Sequence, residues 1–404
     1  MEHHSHLGNR LTSLVGARLE TLGIHGGGGP EPITGAVVPP IFQSTTYAQP
    51  RVGSEQDFTY SRAHNPTVSA LESALASLEG LAHARCFATG MAATSALALA
   101  TLESGSHVVC SDVVYGGTVR LLEQVLDRFG VETTFVDTSD PALLAEALRP
   151  DTRLVFVETP ANPTLKLTDL KAVGEVLADH PALLAVDNTF LTAALQRPAE
   201  LGADIVVYST TKYIEGHNST VGGALVMDCP ELCDRLDFVR KTTGSIQSPW
   251  EAWLTLRGLK TLPLRMERHS QSARLVARWL ADHPSVDTVH YPFLDTFPQR
   301  LLAERQQRDG GGMLAFEVRG GLATSLEFMN SLRLCTLAEN LGAAETLVTH
   351  PPTMTHGDLD PGQRRQRGIS DSLVRLSVGL EHPDDLLADL DQALEAATAK
   401  VEAS

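Results

Sequence analysis

The chain has 404 residues, 43% of them hydrophobic and 20% charged, enough to bury a large core in two or three domains without disulfide staples. Its formal net charge of −17 argues against nucleic acid or an anionic membrane as a partner, because both would repel it. No apolar run approaches the roughly 20 residues of a membrane helix, and MEHHSHLGNRL at the N-terminus lacks the apolar core of a secretory signal, so a cytoplasmic protein is expected. The histidines of that terminus read as a tail rather than a metal site. Five scattered cysteines, with Cys229 and Cys233 lacking the second pair that zinc requires, read as free thiols.

In chain order, residues 1–64 form an N-terminal arm rich in Gly and Pro, with neither helical periodicity nor a core strand over its first 60 residues. Its Gly26–Gly29 run is not read as a phosphate loop, because no clear strand precedes it and Pro30 follows directly. A flexible arm is expected, with an apolar patch (Val37, Val38, Ile41, Phe42) that packs on something, such as another subunit. Residues 65–260 change texture. NPTVSALESALASLEG spaces Val68, Leu71, Leu75 and Leu78 as one helical face, closed by Gly80. ARCFATGMAATSALALATLESG reads as a short strand entering a small-residue helix near Gly90. Apolar segments then alternate with helical ones: HVVCSDV, VETTFVD, RLVFVETP, ALLAVDNT, DIVVYSTT and GGALVMD. That order predicts an α/β domain with a mainly parallel sheet, its strands buried on both faces. Residues 261–404 predict a smaller α+β domain: a helix over 264–280, strands in VDTVHYP, GGMLAFEV and LVRLSVGLE, and a final helix over 384–397.

The polar residues of the large domain gather at strand ends. Glu158, Asp187 and the group Ser209–Lys212 all close their strands, and open α/β sheets bind ligands at that edge. A buried lysine loses its proton readily and can form a Schiff base with an aldehyde, which makes Lys212 a candidate nucleophile and base. Asp187 supplies the carboxylate that pyridoxal phosphate needs opposite its ring nitrogen. Gly90 and Met91 open a helix whose free amides and dipole favour an anion, although the same TGMAA also suits tight helix–strand packing. Ser209 and Thr211, alternate residues, can add hydroxyls on one side. Tyr115 offers a flat ring at another strand end. Arg375 stands inside an apolar strand, either in a buried ion pair or as a fork for a substrate carboxylate.

Taken together, YSRAHNPT, TGMAAT, YGGT, ETPANPT, VDNTF, STTKY, RGLKTLPLRMERH, MTH and GISDSLVRLSVGLE resemble the cystathionine γ-lyase/γ-synthase group of pyridoxal-phosphate enzymes, the fold type I enzymes of trans-sulfuration. The resemblance runs in order from about residue 20 to the C-terminus. It implies that Lys212 carries the cofactor and moves protons, and that Asp187 pairs with the pyridinium. Gly90, Met91, Ser209 and Thr211 hold the phosphate. Tyr115 stacks on the ring and assists proton transfer, and Asn162 touches the ring hydroxyl and the substrate carboxylate region. Tyr60 and Arg62 reach the phosphate in a neighbouring subunit. It implies also a homo-oligomer, at least a dimer with shared sites and typically a tetramer, acting on a small sulfur amino acid. Arg375 is then the carboxylate clamp.

Several reactions stay open within that group: γ-elimination, γ-replacement and β-elimination. All begin with loss of the Cα proton, and γ-chemistry needs a second proton removed at Cβ, so one base serves two carbons. Glu339 stands where cystathionine-handling members have a glutamate for the distal ammonium. Gly117 stands where methionine γ-lyases usually have a cysteine. Both favour cystathionine over methionine as substrate but do not separate lyase from synthase, which share the glutamate. Cystathionine γ-lyase is the reading taken, with γ-synthase and methionine γ-lyase as alternatives and a cofactor-free binding protein as a remote one. Asn340 departs from the serine usual beside the substrate carboxylate. No metal is expected.

Overall fold

The computed structural model describes residues 14–355, 357 and 360–402. The N-terminal histidines and His356 of the MTH motif therefore lie outside the described residues. Two sheets organise the chain. The larger has seven strands: β1 (His83–Phe87), β2 (His107–Ser111), β3 (Glu132–Val136), β4 (Thr152–Glu158), β5 (Leu183–Asp187), β6 (Ile205–Tyr208) and β7 (Gly223–Met227), in the order β1-β7-β6-β5-β4-β2-β3. Strands β3, β2, β4, β5 and β6 pair in parallel, whereas β7 runs antiparallel to both of its neighbours. The strands are apolar throughout because both faces are covered. Ile205 and Val207 enter one core, while Val206 and Tyr208 enter the opposite one.

The second sheet holds β8 (Val286–His290), β9 (Met313–Val318), β10 (Thr336–Leu337), β11 (Leu347–Thr349) and β12 (Leu373–Ser377), in the order β10-β11-β12-β9-β8. One apolar cluster unites its inner face with helices Leu262–Ala281, Gly321–Ser331 and Pro383–Glu402. The fold is thus α/β, a large layer with a mainly parallel sheet beside a smaller α+β layer.

The arm departs from expectation. It contains a helix, Leu19–His25, with Leu19 and Gly23 buried in the same core as helices Pro66–Glu79 and Leu262–Ala281. The glycines that follow are neither a phosphate loop nor a tether: a Cβ on Gly26 would lie 2.9 Å from that of Ser77, and one on Gly27 3.0 Å from the Ala70 carbonyl. They let the chain lie close against helix Pro66–Glu79. Val37 and Val38 remain exposed, whereas the Pro39 carbonyl accepts the Trp253 indole N–H at 3.0 Å.

Asn65 ties the arm to the large layer. Its Oδ1 caps helix Pro66–Glu79 by accepting from Thr67 N at 2.9 Å. Its Nδ2 donates to the Phe42 carbonyl, the Tyr47 hydroxyl and the Ser61 hydroxyl at 2.8, 3.1 and 3.0 Å. Asn65→Asp keeps the acceptor and loses the donor; Asn65→Ala loses both. We expect thermal unfolding to show about 1 kcal/mol of cap stabilisation lost only in the alanine variant. Limited proteolysis is expected to open residues 42–61 in both variants.

Candidate functional site

The carboxyl edge of the parallel strands builds the site. Glu158 and Asp187 end adjacent strands in direct register, and Asp187 is in register with Val207, two residues before Ser209. Their side chains, with Lys212, line one cavity of about 390 Å³. Gly90, Met91, Tyr115, Asn162, Ser209, Thr211, Glu339 and Arg375 line it as well. Tyr60 and Arg62 do not. They lie exposed at the surface, where the Arg62 guanidinium sits 5.3 Å from the Tyr60 ring centroid and donates to the Lys241 carbonyl.

One wall is a helix N-terminus. Thr89 caps helix Gly90–Thr101: its hydroxyl accepts from Ala92 N at 2.9 Å and its carbonyl from Ala93 N at 3.1 Å. The amides of Gly90 and Met91, at the first two helical positions, are left facing out of the first turn. The turn sits very close to the sheet. A Cβ on Gly223, the first residue of β7, would lie 2.3 Å from the Thr89 carbonyl. The Ser209 hydroxyl lines the same corner, and the Thr211 hydroxyl pairs with the backbone of Gly222. Helix amides and hydroxyls at one corner suit a phosphate.

The opposing charges are not neutralised by the protein. Asp187 accepts from Thr189 N at 3.0 Å, and no basic group lies within ion-pair distance of it among the described residues. Glu158 accepts from Tyr115 N at 2.8 Å and Asn162 N at 2.9 Å. Burial pushes both carboxyls up, and the charge of Asp187 raises Glu158 further. A cation placed against Asp187 would relieve both. Arg375, on β12, is fully buried without a carboxylate partner: it donates to Asn162 Oδ1 and Thr349 Oγ1, each at 3.0 Å, and to the Asn340 carbonyl at 3.2 Å. Of the two readings of this arginine, the buried ion pair is therefore absent among the described residues. Burial pushes its guanidinium down to about 10. Such a cation gains from an anion.

Lys212 stands between these poles. Burial, then the charge of Arg375, push its ammonium down to about 8. Its Nζ donates to Asn340 Oδ1. The second amide atom of Asn340 is also occupied, donating to Asn218 Oδ1 at 2.6 Å, so its side chain faces the lysine rather than Arg375. Glu339, exposed, stands at the cavity lining while its carbonyl accepts from Arg375 at 3.4 Å.

Comparison with known proteins decides the family. The profile described as "Cys/Met metabolism PLP-dependent enzyme" matches residues 20–395. The chain belongs to that family. Its cofactor is pyridoxal phosphate. The chain is 45% identical over 376 residues to a cystathionine gamma-lyase of Bacillus subtilis, covering 93% of this chain and 99% of the relative. It is 48% identical over 375 residues to a cystathionine gamma-synthase of Mycobacterium tuberculosis, covering 93% and 96%. It is 43% identical over 380 residues to a cystathionine beta-lyase of Coxiella burnetii, covering 94% and 98%. The crystal structure of cystathionine gamma-lyase from Lactobacillus plantarum complexed with L-serine superposes with a TM-score of 0.92 at 39% identity, covering 94% of this chain and 99% of that one. The residues present fit this family's cofactor: an unpaired, half-buried carboxylate for a ring cation, a lysine with a lowered pKa, and a helix N-terminus for a phosphate.

Residues not singled out from sequence also line the cavity, among them Thr89, Thr118, Thr189 and Met354. Thr189 is the most informative, since its hydroxyl accepts from Ser209 N at 2.9 Å and its amide donates to Asp187. Its signal was its place two residues after Asp187, where an Asx turn forms. Glu158 was seen as a strand-end carboxylate but given no role; its two oxygens fix the Tyr115 and Asn162 backbones.

Two measurements follow from this geometry. In the full-length chain stripped of cofactor, acylation of Lys212 by acetic anhydride, followed by mass spectrometry, is expected to rise with pH through a midpoint of about 8, because the free amine reacts. A midpoint above 10 would mean that the amine is solvated. Gly117 sits where a Cβ would lie 2.5 Å from the Tyr115 ring and 2.8 Å from Met91 Sδ. Gly117→Ala must move that ring, and pyridoxal phosphate affinity measured by equilibrium dialysis is expected to fall about 10-fold, the equivalent of one aromatic contact.

Proposed function

We propose that this carbon–sulfur enzyme catalyses γ-elimination of L-cystathionine, giving cysteine, 2-oxobutanoate and ammonia. The observation that carries the reading is the unpaired, fully buried Arg375 in the same cavity as Lys212 and the acidic Glu339. The three groups suit an amino acid with an α-carboxylate, a removable Cα proton and a distant ammonium.

Pyridoxal phosphate, when bound, supplies an electron sink for charge developing at Cα. Asp187 would hold its protonated ring nitrogen. The Gly90 and Met91 amides and the Ser209 and Thr211 hydroxyls would hold its phosphate, Tyr115 would cover the ring face, and Asn162 would border the ring and the carboxylate. Arg375 clamps the substrate carboxylate and so fixes which hydrogen faces Lys212. The Lys212 amine takes the Cα proton and then serves Cβ, and its lowered pKa keeps a useful fraction deprotonated near neutrality. Glu339 attracts the distal ammonium. Tyr60 and Arg62, outside their own chain's cavity, would complete the phosphate site of a second copy, with the arm of residues 1–64 as the bridging segment. On this reading the enzyme is at least a dimer and forms a tetramer.

A second reading, γ-replacement on an O-acyl-homoserine with cysteine, draws on the 48% identity to a gamma-synthase. Methionine γ-lyase draws less support, because Gly117 leaves no room for a larger residue without displacing Tyr115.

A product assay with L-cystathionine separates these readings. We expect 2-oxobutanoate and cysteine; pyruvate and homocysteine would indicate β-elimination. Efficient cystathionine synthesis from the ester, with little cleavage, would indicate the synthase. Glu339→Ala is expected to raise the KM for cystathionine about 10-fold, a charge-assisted contact of roughly 1.5 kcal/mol. Turnover of homocysteine, which lacks the distal ammonium, should change little. Equal losses on both substrates would remove Glu339 from substrate selection.

A further inference from the structure

The amine of Lys212 is the end of a hydrogen-bonded chain that runs to the surface. Its Nζ donates to Asn340 Oδ1. Asn340 Nδ2 donates to Asn218 Oδ1 at 2.6 Å, and Asn218 Nδ2 donates to Glu345 Oε2 at 3.1 Å. Asn218 holds a left-handed backbone conformation, with φ +55°, in the loop that returns from Lys212 to β7. The segment bearing Asn340 is itself fixed. Its carbonyl accepts from Arg375 at 3.2 Å, and a Cβ on Gly342 would lie 2.6 Å from Tyr213 N, so this backbone packs directly on the lysine loop.

We infer that Asn340 is a positioning residue for the Lys212 amine, oriented by Asn218 and Glu345, rather than a contact for the substrate carboxylate. This rests on the reading of Lys212 as the proton carrier. The polarity of the chain follows from its outer end. A carboxylate only accepts, so Asn218 must turn its NH2 towards Glu345 and its oxygen towards Asn340. Asn340 must then give its NH2 to Asn218 and present its oxygen to Lys212. An acceptor there takes one N–H of the amine in either protonation state. In the neutral amine it leaves the lone pair and the other N–H available to the cavity. The other charges around the amine come from separate elements: Arg375 on β12, Asp187 and Glu158 at the ends of β5 and β4, and Glu339 beside Asn340, with the phenols of Tyr115 and Tyr213.

The test uses Asn340→Ala, Asn218→Ala and Glu345→Gln, the last two at exposed positions. Because Asn218 holds φ +55°, Asn218→Gly is run beside Asn218→Ala to remove the amide without left-handed strain, and only an effect shared by the two counts. In the holoenzyme, Asn340→Ala should lower kcat for cystathionine about 10- to 100-fold, the scale of a misplaced reacting group, with KM within about 2-fold. Asn218→Ala should lower kcat about 3- to 10-fold, the loss of one hydrogen bond. The double variant should be no worse than Asn340→Ala, because the two act as one unit. In the cofactor-stripped chain, Asn340→Ala should acylate Lys212 about 2- to 10-fold faster at pH 7, because the acceptor that favoured the ammonium is gone. Asn218→Ala and Glu345→Gln should act the same way and by less, because each leaves the Asn340 amide free to turn. A raised KM with unchanged kcat for Asn340→Ala would restore the substrate-carboxylate role and overturn the inference. So would wild-type kinetics and labelling in both Asn218→Ala and Glu345→Gln. If wild-type enzyme cleaves no carbon–sulfur bond while the labelling shifts appear as described, the proposed reaction fails and the relay stands.

Discussion

The site depends on one buried guanidinium that meets only neutral acceptors, with its Nε left unpartnered among the described residues. Arg375 belongs to the second sheet, yet one of its N–H groups is spent on Asn162, which follows β4 of the first. Others hold Thr349 and the carbonyls of Glu339 and Asn340. Removing a charge from water costs several kcal/mol, and neutral dipoles recover only part of that. The fold thus keeps an unmet electrostatic demand at the junction of its two layers. An anionic ligand placed there would meet that demand and in doing so bridge both sheets.

The carboxylates answer it from the other side. Two acids ending neighbouring strands repel each other, and both are raised by burial. Glu158 is stabilised by two backbone amides, whereas Asp187 has only the Thr189 turn. The weaker partner is therefore the one open to a cation. This division of labour arises from backbone geometry rather than from residue type, since both are strand-end acids.

Much of this was legible in the sequence. The buried strands announced themselves by unbroken apolar runs, and helix Pro66–Glu79 by its periodicity between Asn65 and Gly80. Three polar strand ends pointed to one edge, and the structure gathers them around one cavity. Less legible were elements whose signals are short. Strands β10 and β11, of two and three residues, are held by pairing rather than by pattern. Helix Leu19–His25 has one buried leucine at its start, and its packing relies on glycines that read locally as disorder. Helix Pro249–Leu259 carried a clear start, Ser248 with Glu251 three residues on, which composition alone does not reveal. Asn340 shows the other limit. Its type could be compared with a family pattern, but its partners, 122 and 128 residues away in sequence, are set only by tertiary packing.

The reversed strand β7 has a further effect. A parallel successor to β6 would have required the chain to leave the ligand edge and cross to the far side of the sheet. Because β7 begins where β6 ends, residues 209–222 leave and rejoin the same edge, and the lysine sits on a closed loop with two anchored feet. Residues 217–219 are exposed, so an insertion at that tip can bulge outward, whereas one between Tyr208 and Lys212 moves the amine itself. The spacing from the end of β6 to the lysine is a dimension of the active site.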